Sequence, residues 1–277
     1  MLNNQNYHTI ILIRGDNLIN LKHIYKKKQG MTIINDLNWH IEAGDNWILY
    51  GMNGAGKTTL LNIINSYESI SQGVIELFKM MPGKEGYSAE NVRQHIGFVS
   101  NSLLEKFQDG EKVIDVVLSG VFKSIGLYKA YSDEHIKEAE KLLSIVGMLS
   151  YKDQYLGYLS TGQKQKVMIA RALIHQPDVL IFDEPASGLD FMAREQLLNL
   201  LEHLNKIYAQ LTMIYVTHVI EEISPIFNKI FLLKDGSCFD KGTVTNILTD
   251  SVMYEFFNNK IEVFQYRNRY HLYLKEN

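Results

Sequence analysis

The sequence predicts an α/β fold: a mostly parallel core sheet covered by helices, with an antiparallel β part at the N-terminus and a helical subdomain inserted into the middle. Three observations predict it. Almost wholly apolar runs of strand length, Val179-Leu180-Ile181-Phe182 and Thr212-Met213-Ile214-Tyr215-Val216, are separated by a helical pattern, as expected of parallel strands buried on both faces. The stretch Gly51-Met52-Asn53-Gly54-Ala55-Gly56-Lys57-Thr58-Thr59 joins a predicted strand to a predicted helix and fits the Gly, four residues, Gly-Lys-Ser/Thr pattern of a phosphate-binding loop. Residues 112–155 change to a helical period, which reads as an insertion into an otherwise mixed domain.

The elements follow in order. Residues 1–9 are polar and Asn-rich and predict a tail or an added edge strand; residues 10–13 and 18–24 have strand patterns. Lys26-Lys27-Lys28 reads as a solvated turn. Residues 32–41 predict a strand, closed by a Gly44-Asp45 turn before the strand Asn46-Trp47-Ile48-Leu49-Tyr50. After the first helix come strand-length segments at 73–78 and 95–99, with a loop over 82–90 between them. Ser132 is placed to cap a helix with Asp133 and Glu134 in its first turn, Ile136, Ala139, Leu142, Leu143 and Val146 as its apolar stripe, and Gly147 at its end. Helices are expected over 162–175 and 192–209, and a strand over 229–233 before the Lys234-Asp235-Gly236 turn. Residues 261–266 and 270–274 predict a C-terminal hairpin with Arg267-Asn268-Arg269 as its turn.

Bulk properties narrow the function. The 277 residues are 46% hydrophobic and 21% charged, ordinary values for a globular chain with ample core. A formal net charge of −3 gives no electrostatic case for nucleic acid, and none is expected as a partner. Cys238 is the single cysteine, so no intrachain disulfide framework exists and a reducing cytosol is expected. No apolar run approaches the ~18 residues of a membrane span.

The chemistry of the loop follows from its composition. Glycines let the backbone turn tightly and aim its N–H groups at phosphate oxygens, and the helix N-terminus adds partial positive charge. Lys57 is then placed to meet the β- and γ-phosphates of a nucleotide, and Thr58 to offer Mg²⁺ an oxygen.

Four further motifs appear in a fixed order. Leu159-Ser160-Thr161-Gly162-Gln163 opens a helix, the strand over 179–182 runs into Asp183-Glu184-Pro185, Ser187-Gly188-Leu189-Asp190 follows, and Thr217-His218 ends a later strand. With the phosphate loop, this set over residues 18–241 resembles the nucleotide-binding subunit of an ATP-binding cassette (ABC) transporter, a P-loop NTPase. Asp183 ends a buried strand, where open α/β sheets place their ligand chemistry, and suits Mg²⁺ as a hard oxygen ligand. The resemblance implies that Glu184 activates the attacking water, that His218 meets the γ-phosphate, and that Ser160, Thr161, Gly162 and Gln163 close in trans over ATP held by a second copy. It implies that Asp190 couples the two sites of a head-to-tail homodimer formed with ATP. The implied domain plan is an N-terminal extension (1–17), an ATPase domain (18–250) with the helical subdomain at about 102–160, and a C-terminal hairpin extension (251–277).

Three positions depart from the family pattern. Thr161 stands where Gly is usual, and a β-branched residue restricts the backbone there. Asn101 stands where Gln is usual; it keeps the amide but is a methylene shorter, so it reaches Mg²⁺ or the water only if its loop sits closer. The usual position of the adenine-stacking aromatic falls on Lys28, while the nearest aromatic is Tyr25. Either Tyr25 stacks on adenine or it packs and the base is held otherwise; the reading leans to Tyr25.

The implied function is ATP binding and hydrolysis coupled to a separate integral membrane permease, at the cytoplasmic face of the cell membrane. The helical insertion and the loop after Asn101 are the expected docking surface for the permease. Residues 113–120 and 124–128 resemble the corresponding region of importers for metals or metal chelates. Two rivals stand beside this: a soluble ABC ATPase acting in assembly or regulation, for instance in iron–sulfur cluster building, and a nucleotide-binding module without turnover.

Overall fold

The computed structural model describes residues 15–125 and 131–275. The proposed strand at 10–13, most of the N-terminal extension and part of the 124–128 segment lie outside these residues.

Two long antiparallel strands, β1 (Asn17–Lys28) and β2 (Met31–Glu42), open the described chain. Strand β3 (Asn46–Tyr50) is buried along its whole length and leads through the phosphate loop into α1 (Lys57–Ile64). Strand β4 (Gln72–Leu77) returns to pair with β1, giving an antiparallel sheet ordered β2-β1-β4. Next come α2 (Ala89–Gln94), β5 (Ile96–Ser100), α3 (Asn101–Leu104), α4 (Val113–Ser119), α5 (Asp133–Ile145) and α6 (Thr161–Leu173). The chain then alternates through β6 (Val179–Asp183), α7 (Phe191–Ile207), β7 (Thr212–Thr217), β8 (Lys229–Lys234) and β9 (Ser237–Thr243). It finishes with α8 (Val244–Ile247), α9 (Asp250–Phe257) and the hairpin β10 (Ile261–Tyr266) and β11 (Arg269–Leu274).

The core sheet has the order β5-β6-β7-β3-β8-β9. Its first five strands are parallel to their neighbours and β9 is antiparallel to β8. Side chains alternate across a strand, so the sheet feeds two apolar cores. Ile48, Tyr50, Leu180, Phe182, Met213 and Tyr215 face the core shared with the helical block. Trp47, Leu49, Ile181, Ile214 and Val216 face the core under the antiparallel sheet and α1. Burying a large apolar side chain on either side contributes roughly 1.5–3 kcal/mol. The C-terminal ends of β3, β5, β6 and β7 share one edge, and there the sheet collects the phosphate loop, Asn101, Asp183 and His218, as parallel sheets collect ligand chemistry.

The structure corrects several local expectations. Lys26-Lys27-Lys28 continues β1 and is not a turn; Lys26 Nζ donates to Ser69 O at 2.6 Å and lies 3.3 Å from Glu68. The 82–90 loop gives way to α2 at Ala89, capped by Ser88, whose side chain accepts from Asn91 N. Helix α5 starts at the expected Ser132 cap and ends before Gly147, which has φ 72°, but Ile136 of the expected stripe is 38% exposed. Ser237–Thr243 is a strand, and Asp250–Phe257 is a helix inside the segment read as a hairpin extension. Arg267 and Asn268 alone make the hairpin turn, both with positive φ, and Arg269 belongs to β11. Among the described residues no helix is long and apolar enough to cross a membrane.

At the N-terminal end of β5, Lys123 Nζ donates to Ile96 O at 3.1 Å, and His175 Nε2 lies 3.2 Å from the same oxygen. Burial, with Arg171 and Arg93 nearby, pushes the Lys123 ammonium down to about 7. Between that value and the ordinary lysine value of about 10.4, the unfolded chain binds more protons than the folded one. Stability therefore rises with pH across this window. Lys123→Met is expected to flatten that rise, measured as urea midpoints at several pH values between about 7 and 9.

Candidate active site

The phosphate loop turns on Gly54 (φ 82°) and Gly56 (φ 105°). Gly56 is the N-cap of α1 and offers no side-chain cap, so the N–H groups of the first turn face outward toward an anion. The loop is clamped from outside its own sequence. Gly236 N donates to Ala55 O at 3.0 Å, and Asn35 N donates to Gly236 O at 2.9 Å. With φ at 75°, Gly236 packs so tightly that a Cβ there would lie 2.2 Å from Ile33 O. Sequence reading took Gly236 only as part of a turn and missed this clamp.

Two predicted catalytic residues, Lys57 and His218, converge on one oxygen of the third, Glu184. Lys57 Nζ donates to Gly51 O at 2.7 Å and Met52 O at 3.3 Å, and it lies 3.2 Å from Glu184 Oε1. His218 Nδ1 lies 3.3 Å from the same Glu184 Oε1. Backbone geometry explains how adjacent acids take different tasks. Asp183 keeps its place in the ladder beside Val216, whereas Glu184 has φ 47°, a left-handed conformation that turns its side chain back toward Lys57 and His218. Such a conformation costs a non-glycine residue on the order of 1–3 kcal/mol. Burial, and then the charge of Glu184, pushes the Asp183 carboxyl up to about 6, with Lys57 opposing. Thr58, in the first turn of α1, is exposed.

The Ser160 to Gln163 motif forms a capping box at the start of α6. Ser160 Oγ accepts from Gln163 N at 3.3 Å, and Gln163 Oε1 accepts from Ser160 N at 2.9 Å. The Ser160 hydroxyl hydrogen stays available to an anion arriving from outside. Thr161 is exposed at the first helical position and is not among the residues with positive φ, so a β-branched residue fits there. Gly162 has a packing reason: a Cβ would lie 3.2 Å from Ala193 Cβ of α7. Asp190 caps α7, its Oδ1 accepting from Ala193 N at 2.8 Å.

Asn101 opens α3, and its Oδ1 accepts from Nε2 of the fully buried Gln165 of α6. The amide oxygen that would reach Mg²⁺ or the water from a closer loop is thus engaged with α6. Asn101 lines a cavity of about 550 Å³ together with Phe107, Leu156, Thr161, Lys164 and Ser187.

The structure places Tyr25, not Lys28, beside a cavity. Tyr25 lines a space of about 360 Å³ with Thr32, Asn35 and Gln72, and Asn35 is tied through Gly236 to the phosphate loop. Lys28 Nζ instead lies 3.6 Å from Glu68. Tyr25→Ala is expected to raise the KM for ATP about fivefold to tenfold, the loss of one aromatic stacking contact of roughly 1–1.5 kcal/mol. Steady-state kinetics check it; an unchanged KM would make Tyr25 a packing residue.

Sequence reading also missed the support of His218. Glu222 Oε2 accepts from Thr217 Oγ1 at 2.6 Å and from Tyr215 OH at 3.1 Å, while Val219 N donates to Thr217 Oγ1 at 2.9 Å. Burial raises the Glu222 carboxyl, and these two hydroxyl hydrogen bonds pull it back. The only sequence signal was an acidic pair, Glu221-Glu222, shortly after Thr217-His218.

Comparison with known proteins identifies the family of the chain and its fold. The model of the ABC transporter family matches residues 34–187. The ABC transporter ATP-binding protein YlmA of Bacillus subtilis (strain 168) is 39% identical over 252 residues, covering 91% of this chain and 95% of that protein. The cassette MJ0796, solved as a dimer in a post-hydrolysis state bound to ADP and phosphate, is 27% identical with a TM-score of 0.69, covering 82% of this chain and 99% of that one. A cassette from an inward-facing, metal-chelate type ABC transporter shares the fold, with 24% identity, a TM-score of 0.75 and coverage of 94% and 97%. These relatives do not favour the soluble assembly-factor alternative.

Proposed function

The chain belongs to the ABC transporter family as an ATP-binding, ATP-hydrolysing subunit that works with a separate permease, and from that membership we propose how its residues divide the work. The observation that carries the proposal is the meeting of Lys57 and His218 on Glu184 Oε1 at the end of the phosphate loop.

The loop from Gly51 to Thr59 wraps the phosphates, and Lys57 leaves Glu184 to meet the β- and γ-phosphates. Tyr25 stacks on adenine. Glu184 orients the attacking water and accepts its proton, while His218 faces the γ-phosphate and the charge that develops there. Water adds to the γ-phosphorus, the bond to the bridging oxygen breaks, and ADP and phosphate leave. Two hard oxygen donors, the Thr58 hydroxyl and the Asp183 carboxylate, fit Mg²⁺. An ion held by these two would take its remaining ligands from phosphate and water. When bound, the ion neutralises charge on the phosphate oxygens.

The donor-bearing N-terminus of α6 is exposed, and we assign it to the γ-phosphate of a second copy, with Asp190 at the same interface. We assign the exposed Phe122, Leu149, Tyr151 and Tyr155 of the helical block to the surface offered to the permease, and with that partner we assign the protein to the inner face of the cell membrane. The test is the concentration dependence of ATP hydrolysis. Activity per subunit is expected to rise with protein concentration in step with an ATP-induced dimer seen by light scattering. A rate per subunit that stays constant down to fully monomeric concentrations would overturn the shared-site reading.

A further inference from the structure

Beyond the family's motifs, the C-terminal hairpin reaches the back of the catalytic edge. Arg269 of β11 donates from Nη1 to Glu221 O at 3.2 Å and places Nη2 3.3 Å from Glu195 Oε2 of α7. Beside it, His271 Nδ1 lies 3.8 Å from Glu221 Oε1. The Arg269 side chain is 19% exposed, so this fork is partly shielded from solvent screening and its geometry is well defined.

The two groups it joins belong to different working parts. Glu221 lies three residues after His218, in the turn Ile220–Glu222, and the next residue, Glu222, locks that turn to β7 through Thr217 and Tyr215. Glu195 stands in the second turn of α7, whose N-cap is Asp190. One face of the segment carrying His218 is therefore held by the buried Glu222 network and the other by Arg269.

We infer that Arg269 is a positioning residue for His218, fixing the turn that follows it against α7. The inference rests on the role proposed above for His218. A guanidinium suits the task because its planar fork can satisfy a carbonyl and a carboxylate at once, which an ammonium cannot do in the same geometry. A small shift of a positioned catalytic group is costly to turnover, while the phosphate loop's own contacts to nucleotide do not run through Arg269, whose partners are Glu221 and Glu195.

The experiment compares steady-state ATP hydrolysis by the full chain with that of Arg269→Gln and Arg269→Lys. Arg269→Gln is expected to lower kcat about tenfold with the KM for ATP within about twofold of the parent, and Arg269→Lys to restore part of the loss. In a His218→Ala background, followed by single-turnover hydrolysis of labelled ATP, Arg269→Gln is expected to change nothing further. A kcat equal to the parent's, a KM that rises in step with the fall in kcat, or an equal further loss without His218 would each overturn the inference. Should Arg269→Gln fail to fold, Glu195→Gln removes the charge on the other side of the fork; a fall in kcat alone supports the assignment and an unchanged kcat refutes it. A parent chain without hydrolysis at any concentration would instead strike the reading of the site itself.

Discussion

Glu184→Gln is expected to reduce ATP turnover by at least a hundredfold and to make an ATP-bound dimer accumulate. Glu184 carries the carboxylate on which Lys57 and His218 meet, and a positioned general base is worth about 10²- to 10⁴-fold. Gln keeps the size and the oxygen but cannot take the proton. Glu184 N donates to Val216 O at 3.1 Å and Ser187 N to Glu184 O at 3.1 Å, so the backbone that sets the left-handed turn does not depend on the side-chain charge. The variant should bind ATP, close over it and stay closed, while ADP leaves it monomeric. Steady-state rates and size-exclusion chromatography with each nucleotide check this. A turnover within tenfold of the parent would mean that another group activates the water.

Gly236→Ala is expected to cost about 3 kcal/mol in stability and to raise the KM for ATP. A left-handed φ costs a non-glycine residue roughly 1–2 kcal/mol, and overpacking adds roughly 1–3 kcal/mol. Here the added methyl would lie 2.2 Å from Ile33 O, so backbone must move rather than a flexible side-chain end. The movement passes to Ala55, because Gly236 N–H is its carbonyl's donor. Urea denaturation reads the first effect and steady-state kinetics the second. A loss below about 1 kcal/mol with an unchanged KM would show that the clamp yields freely.

The readable parts of the sequence were those whose cause is local. Strand β3 was found to the residue because all five of its positions are buried and a Gly-rich loop ends it. Helix α5 announced its ends through Ser132 and Gly147, which act on their own neighbours. The missed elements owe their form to partners. Strand β9 is mostly polar and half exposed, and exists because β8 offers it an edge. Lys26 to Lys28 stay extended because β2 pairs with them and Ser71 Oγ accepts from Lys27 N. The eight-residue α9 was hidden by its length, though Thr249 caps it.

The site shows the same division. The residue types at the phosphate loop, Asp183-Glu184 and His218 were legible because their spacing is itself the signal. Three features were not: the left-handed backbone of Glu184, the engagement of Asn101 with Gln165, and the reach of Arg269 to Glu221. Each depends on which distant segment lies opposite. The reading of Arg269 as a turn residue failed because the tight two-residue turn at Arg267 and Asn268 needs no third.

The position of β3 in the core sheet governs when this protein can first become functional during its synthesis. Strand β3 carries the phosphate loop, yet its two neighbours are β7 and β8, which the ribosome delivers long afterwards. At about 5–20 residues per second, the strand at Asn46–Tyr50 waits on the order of 10 s or more before Thr212–Lys234 has been made. During that interval its unpaired apolar edge is a place for chaperones or for misassembly, and a nascent chain arrested before β8 carries every residue of the loop without the frame that makes it a site.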